Sequence, residues 1–298
     1  MMRAARMVGP DVLRQVRRIE LRARRLVTTL FSGAYRSVFR GQGIEFAEVR
    51  AYELGDDFRA IDWNVSARMG APFVKTFEEE RELTLLLVVD RSGSVAFGRP
   101  RTKVEVAVEV AAVLALAAAR QNDRVGALLF SDVVEHVIPP AKGRRHVLRV
   151  IRDLLAFEPS GRGTNLAAAL AHAGRLLRHR AIVVVLSDFR AEGWDVALRR
   201  LKQRHEVVAI TVDDPREVDL PDAGWIELED AESGARLLVD STDGGGRLRL
   251  RIAAEERQLD RARTLQRIGV DQISLVTDRP YAQELHAAFA RRARRLQR

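Results

Sequence analysis

An α/β fold follows from three features of the sequence: a doubly wound, mostly parallel sheet flanked by helices, with an N-terminal basic helical and loop-rich extension. Two aliphatic runs without polar alternation, 83–89 and 181–186, read as strands covered on both faces. Each run leads into an acidic turn, at Asp90 and at Asp188. From the first of them onward, helical and strand-like segments alternate, the pattern of parallel strands joined by right-handed crossovers. With 298 residues, 47% of them hydrophobic, the chain can bury a large core and needs no second complete domain.

Val12, Leu13, Val16, Ile19, Leu26 and Leu30 interleave with arginines at helical spacing, which predicts a basic amphipathic helix over 12–31. The expected organisation is therefore an extension over 1–32, a segment over 33–82 packing on the main domain, and the main domain over 83–298. After the strand 83–89, residues 103–121 are almost uniformly Ala and Val, so this helix should be buried against the sheet. A strand follows at 124–130, then a short edge strand at 133–138 that Pro139-Pro140 should end. Helices at 145–156 and 166–178 lead to the strand 181–186. A helix at 194–204 and a strand at 206–212 come next, closed by Asp213-Asp214-Pro215, which reads as turn and helix-start chemistry. Residues 225–240 suggest a hairpin turning at Ser233-Gly234, and Thr242 to Gly246 a flexible connection. A charged helix at 251–267, a strand at 271–276 and a helix at 280–295 complete the pattern.

Chemistry concentrates at the ends of the two aliphatic strands. Asp90-Arg91-Ser92-Gly93-Ser94 puts one carboxylate and two hydroxyls on a sharp turn at a strand's carboxyl end, where open α/β sheets collect ligands. Such a set suits Mg²⁺, which prefers octahedral oxygen coordination and keeps several waters; Mn²⁺ accepts the same donors. Gly161-Arg162-Gly163-Thr164-Asn165 offers a further hydroxyl, Thr164, at a helix start, and Asp188 a second carboxylate. Taken singly, these residues are ordinary turn-formers or helix caps. Taken together, Asp-x-Ser-x-Ser, then a loop Thr, then a strand-terminal Asp resembles the von Willebrand factor A domain with a metal-ion-dependent adhesion site. The resemblance implies a metal held by Asp90, Ser92, Ser94, Thr164 and Asp188, with an acidic residue of a partner protein completing the coordination.

A narrower resemblance lies upstream. Gly41 to Tyr52, Gly55-Asp56-Asp57, Arg59-Ala60-Ile61-Asp62-Trp63, Ser66-Ala67-Arg68 and Phe77-Glu78-Glu79-Glu80-Arg81 are similar to the signature of the domain-of-unknown-function family 58. The similarity covers about residues 30–290. It implies association with a MoxR-type AAA+ ATPase, the expected partner being that ATPase or its client. The composition of this block suits Arg–carboxylate pairs packed by aromatics. Structural clamping is the plain reading; the sharper one makes Arg50, Arg59, Asp62, Trp63 and Arg68 a partner-docking surface.

Composition sets further bounds. The absence of cysteine removes disulfides, thiolate metal sites and cysteine nucleophiles, and makes the cytoplasm the default compartment. The net charge is +9, and residues 1–50 hold eleven arginines against four acids. Arginine interrupts every window of membrane-spanning length, and no secretory signal pattern is present. In this the chain departs from family relatives that carry membrane helices. The basic helix could pack on its own domain, or lie on an anionic membrane surface at the inner face. Nucleic acid is disfavoured, because no aromatic is interleaved with these arginines for stacking. The six histidines show no His-Glu-x-x-His spacing, and no Gly-x-Ser-x-Gly elbow surrounds the Asp90 turn. A metal-dependent phosphohydrolase using Asp90 is the alternative function, but the acid/base carboxylate such enzymes place two residues on is Ser92 here. The expected function is thus a non-enzymatic, Mg²⁺-dependent protein–protein interaction module, an accessory of the ATPase in protein assembly or maturation.

Overall fold

The computed structural model describes residues 14, 17, 45–53, 55–78 and 83–296, and the helix expected over 12–31 lies outside them apart from Arg14 and Arg17. Two compact units are present, Phe39–Leu83 and one that takes in Thr84–Arg298.

In the smaller unit, β1 (Glu45–Ala51) pairs antiparallel with β2 (Phe73–Glu78), and the register shifts between Phe46 and Glu48. Between these strands lie a 3-10 turn, Phe58–Ala60, and α1 (Trp63–Met69). Asp57 caps the turn by accepting from Arg59 N, and Asp62 caps α1 by accepting from Asn64 N and Val65 N. Gly70, left-handed at φ 70°, ends α1. Arg50 forms the expected bidentate pair, with Asp56, at 2.8 and 2.6 Å. The aromatic packing differs from expectation. Trp63 is 71% exposed, because a two-stranded ribbon with a two-turn helix has too little interior to cover an indole. The Arg59 guanidinium lies over Phe58, 5.7 Å from the ring centre, and Phe58 is itself exposed.

The larger unit carries β3 (Thr84–Asp90), α2 (Lys103–Arg120), β4 (Arg124–Phe130), β5 (Val134–Ala141), α3 (Arg144–Ala156), α4 (Leu166–Leu176), β6 (Ile182–Leu186), α5 (Trp194–Arg204), β7 (Glu206–Asp213), β8 (Trp225–Glu229), β9 (Arg236–Asp240), α6 (Gly244–Ile268), β10 (Asp271–Val276) and α7 (Tyr281–Leu296). The central sheet runs β10-β7-β6-β3-β4-β5, and every pairing is parallel except β4–β5. The fold is α/β, with a mostly parallel sheet between helices.

Continuous burial explains the aliphatic runs. Every residue of β3 from Leu85 to Asp90 is buried, as are all five of β6. Leu86 and Val88 join α4, α5 and the end of α6 in one core cluster, so Leu85, Leu87 and Val89 face the opposite layer by strand alternation. Packed against β3, β4 and β7, α2 buries thirteen residues, and a reciprocal capping box between Thr102 and Glu105 fixes where it starts.

Two boundaries depart from the sequence reading. Pro139 and Pro140 lie inside β5 rather than ending it. An edge strand tolerates prolines whose missing N–H faces away from its neighbour, and the register irregularity between Val125 and Ala127 accommodates them. The run Gly244-Gly245-Gly246 is the first turn of α6, not a flexible link. Asp243 accepts from Gly245 N and Gly246 N and so caps the helix start that these glycines form.

Candidate metal centre

The chain leaves β3 toward β4 on one side of the sheet and later places β6 and β7 on the other, so β3 and β6 flank a topological switch point. Val89 pairs with Leu186, which brings Asp90 and the Ser187-Asp188 turn out side by side. Asp90 is 1% exposed. Its Oδ1 accepts from Ser92 N at 2.9 Å, and its Oδ2 accepts from Ser187 Oγ at 2.6 Å. Ser92 is buried too, and its Oγ lies 3.1 Å from Ser94 Oγ across the first turn of a 3-10 segment, Gly93–Ala96.

The loop bearing Thr164 is held against this turn. Gly93 N donates to Arg162 O at 2.7 Å, and Asn165 N donates to Ser131 O. Glu135 fixes the loop's entry by accepting from Ser160 N, Gly161 N and Ser131 Oγ. The helix cap is Asn165, whose side chain accepts from Ala168 N, which leaves the Thr164 hydroxyl for another task. It donates to Glu232 Oε1 at 2.6 Å.

Asp188 occupies a different environment. Its Oδ2 accepts from Lys103 Nζ at 2.8 Å, its Oδ1 accepts from Arg190 N at 3.2 Å, and Arg190 Nε lies 3.7 Å from Oδ2. The fully buried Lys103 also donates to Glu217 Oε1 at 2.8 Å, and Arg190 pairs with Glu217 at 2.8 Å. Burial works to raise the Asp188 carboxyl, but Lys103 and then Arg190 outweigh it and hold the group below its ordinary range. For Asp90 the balance falls the other way. Burial first, and the Asp188 charge second, push it up to about 6 against the lowering effect of the Ser187 and Ser92 hydrogen bonds.

Asp188 and Glu217 are matched by Lys103 and Arg190, whereas Asp90 accepts from the neutral donors Ser92 N and Ser187 Oγ. A cation bound there would meet an all-oxygen set composed of Asp90 and the Ser92 and Ser94 hydroxyls, with Thr164 on the adjoining loop. That donor chemistry fits Mg²⁺ or Mn²⁺. Among the described residues no cluster of three or more His, Cys, Asp or Glu side chains is arranged for a metal, so any ion at this edge relies on hydroxyls.

Sequence reasoning had missed Lys103, Ser187, Glu217 and Glu232. Lys103 was legible in part: the Thr102-x-x-Glu105 box makes it the first residue of a helix that starts at the carboxyl edge of the sheet. Glu232 carried no signal, because its contact spans 68 residues of chain. Asp213 and Asp214, on the same edge, prove structural. Arg261 grips Asp213 with two bonds, at 3.0 and 2.6 Å, while Asp214 accepts from Thr277 Oγ1 and caps the following turn through Arg216 N. Arg50, Arg59, Asp62, Trp63 and Arg68 all belong to the smaller unit, Arg50 in its ion pair, Asp62 as a cap, and Arg59 and Trp63 on its surface.

Comparison with known proteins places the chain. It is 35% identical over 289 residues to the uncharacterized protein Rv1480 of Mycobacterium tuberculosis (strain ATCC 25618 / H37Rv), covering 96% of this chain and 91% of that protein. It is 33% identical over 108 residues to the uncharacterized protein YeaD of Bacillus subtilis (strain 168), covering 36% of this chain and 25% of that one. Among solved structures, a conserved hypothetical protein BatB from Bacteroides thetaiotaomicron aligns with TM-score 0.47 at 16% identity over 71% of this chain and 99% of its own. The SpRpn10 VWA domain aligns with TM-score 0.35 at 14% identity over 44% of this chain and 76% of its own. Residues 48–261 match the family model described as "Protein of unknown function DUF58", and the chain belongs to that family.

Proposed function

We propose that this protein is a non-enzymatic, Mg²⁺-dependent protein–protein interaction module that serves a MoxR-type AAA+ ATPase as accessory or adaptor. One observation carries the reading: Asp90 is a buried carboxylate outside any ion pair, met by neutral donors while the adjacent Arg91 guanidinium turns to the Leu154 and Phe157 carbonyls, and it lies beside two serine hydroxyls, whereas Asp188 and Asp213 on the same edge are ion-paired. Burying a lone charge is costly, and a divalent cation would relieve that cost. When bound, Mg²⁺ supplies an electrophilic position that an acidic side chain of the partner can complete. The chain's own residues do the rest. Asp90 provides the charge, Ser92 and Ser94 neutral oxygens, Thr164 a hydroxyl from the second loop, and Asp188 a carboxylate whose field Lys103 tempers. A non-catalytic role is favoured by Ser92, because no acid/base carboxylate stands two residues after Asp90.

No helix among the described residues is long and apolar enough to cross a membrane. We place the protein in the cytoplasm, with residues 1–32 available to an anionic membrane surface. The test is capture of the purified MoxR-type ATPase, or its client, by the full chain in Mg²⁺ or in EDTA. Capture that requires Mg²⁺ and is lost in Asp90→Ala supports the module. Phosphatase turnover in Mg²⁺ that Asp90→Ala abolishes would replace it with the phosphohydrolase.

A further inference from the structure

We infer that Glu232, at the tip of the β8–β9 hairpin, is the protein's own acidic occupant of the metal edge, standing where a partner's acid would stand. The inference rests on the metal reading above and adds to it an internal competitor.

Three contacts meet at one point. Glu232 Oε1 accepts from Thr164 Oγ1 at 2.6 Å. The neighbouring Ala231 carbonyl oxygen presses on Gly93, where a Cβ would lie only 2.2 Å from it, so the Asp-x-Ser-x-Ser turn admits the hairpin only because its fourth residue is glycine. Gly93 N in turn donates to Arg162 O, two residues before Thr164. The hairpin tip, the Asp90 turn and the Thr164 loop are thus mutually fitted.

The turn is built to present this carboxylate. Asp230 Oδ1 accepts from Glu232 N, Ser233 N and Ser233 Oγ at 3.0, 2.7 and 2.8 Å, and Gly234 takes the left-handed position at φ 72°. The Asp230 side chain is consumed in shaping the turn, while that of Glu232 reaches out to Thr164. A carboxylate has about four acceptor sites, and the Thr164 hydroxyl fills one of them. Because a hydroxyl has one proton and two lone pairs, Thr164 can donate to Glu232 and still offer an oxygen lone pair to a cation. The contact therefore leaves each residue an oxygen lone pair for a cation that both would share.

The hairpin is also displaceable. It forms a separate two-stranded sheet between β7 and α6, and Trp225, Leu237 and Leu238 are 68%, 60% and 63% exposed. A two-stranded ribbon with so little burial opens at low cost compared with the central sheet. An acid arriving in trans would compete with Glu232 and lift the hairpin away.

The experiment uses the full chain and Mn²⁺ alone as probe, following water-proton relaxation, with hydrogen exchange over 230–234 measured in Mg²⁺ and in EDTA. Glu232→Ala should leave bound Mn²⁺ with about one more exchangeable water and weaken its binding severalfold. Glu232→Gln, which keeps an acceptor for Thr164 but not the charge, should fall between the two. Mg²⁺ should slow exchange over 230–234 in the wild type and not in Glu232→Ala. Mn²⁺ bound in an Asp90-dependent way with identical hydration in wild type and Glu232→Ala would overturn the role of Glu232 alone. Mn²⁺ that fails to bind the wild type, or binds Asp90→Ala equally well, would overturn the metal reading and this inference with it.

Discussion

Two strand ends on one edge of the sheet carry acids, and Asp213 at one and Asp90 at the other are accommodated in opposite ways. At the end of β7, Asp213 receives a bidentate guanidinium from Arg261, and Asp214 a hydroxyl and a backbone amide. At the end of β3, Asp90 receives one backbone amide and one hydroxyl, and is more deeply buried than Asp213. Asp188 at the end of β6 lies between these cases, in reach of Asp90 yet paired with Lys103. Asp213 shows an acid whose counter-charge the fold supplies internally, whereas Asp214, as buried as Asp90, is met by neutral donors alone, so what sets Asp90 apart is the pair of serine hydroxyls beside it. Leaving one buried carboxylate without such a partner, next to serine hydroxyls, is the arrangement expected where the counter-charge comes from outside.

The strongest way to break this contrast is to strip the middle case of its cation. Lys103→Met keeps the bulk of a fully buried side chain and removes the charge between Asp188 and Glu217. Losing one partner of a buried ion pair should cost about 4 kcal/mol, read from urea denaturation in EDTA. Asp188 would then keep only the more distant Arg190 as counter-charge, so added Mg²⁺ should recover more stability in this variant than in wild type. Equal recovery in both would show that Asp188 does not share the ion.

Arg261→Ala applies the same operation to β7. It exposes Asp213 to the unpaired state and removes the bond from Arg261 to the Asp188 carbonyl. The expected loss is about 3 kcal/mol, and here Mg²⁺ should restore none of it beyond the wild-type increment, because no hydroxyl pair accompanies Asp213. Restoration by Mg²⁺ would mean that any unpaired acid on this edge recruits the ion, and the distinction between the two ends would fail.

How far the sequence discloses this contrast depends on the range of the interactions involved. Unbroken aliphatic runs ending in Asp identify β3 and β6, since burial on both faces leaves a local mark. The Asp90, Ser92 and Ser94 grouping is local as well. What decides whether an acid is structural or available is remote: Lys103 reaches Asp188 across 85 residues, Arg261 reaches Asp213 across 48, and Glu232 reaches Thr164 across 68. Periodicity cannot report such pairings. Glycine misled for a related reason, because Gly244 to Gly246 look like a linker by composition and become a helix start only once Asp243 folds back over them.

The smallest expected effect has the opposite sign and tests Asp90 directly. Its carboxyl is raised from an ordinary 3.8 to about 6, so in the metal-free protein the native state holds a proton that the unfolded chain has already lost between those values. The part of wild-type stability in EDTA that Asp90 contributes should therefore be fully present below about pH 4, fall as pH rises toward 6 and stay flat above it, and the difference between wild type and Asp90→Asn isolates it from the other carboxylates. Asp90→Asn has no such step. Two pK units correspond to about 3 kcal/mol, and allowing about 1 kcal/mol for reorienting the amide against Ser187 and Ser92, the variant should be about 2 kcal/mol more stable than wild type at pH 7 in EDTA. Saturating Mg²⁺ should erase that advantage by stabilising the wild type alone. Denaturation across pH 4–8 in EDTA and in Mg²⁺ reads both effects. A variant that is less stable than wild type at every pH would mean that Asp90, like Asp213, is a structural acid whose charge the fold already satisfies.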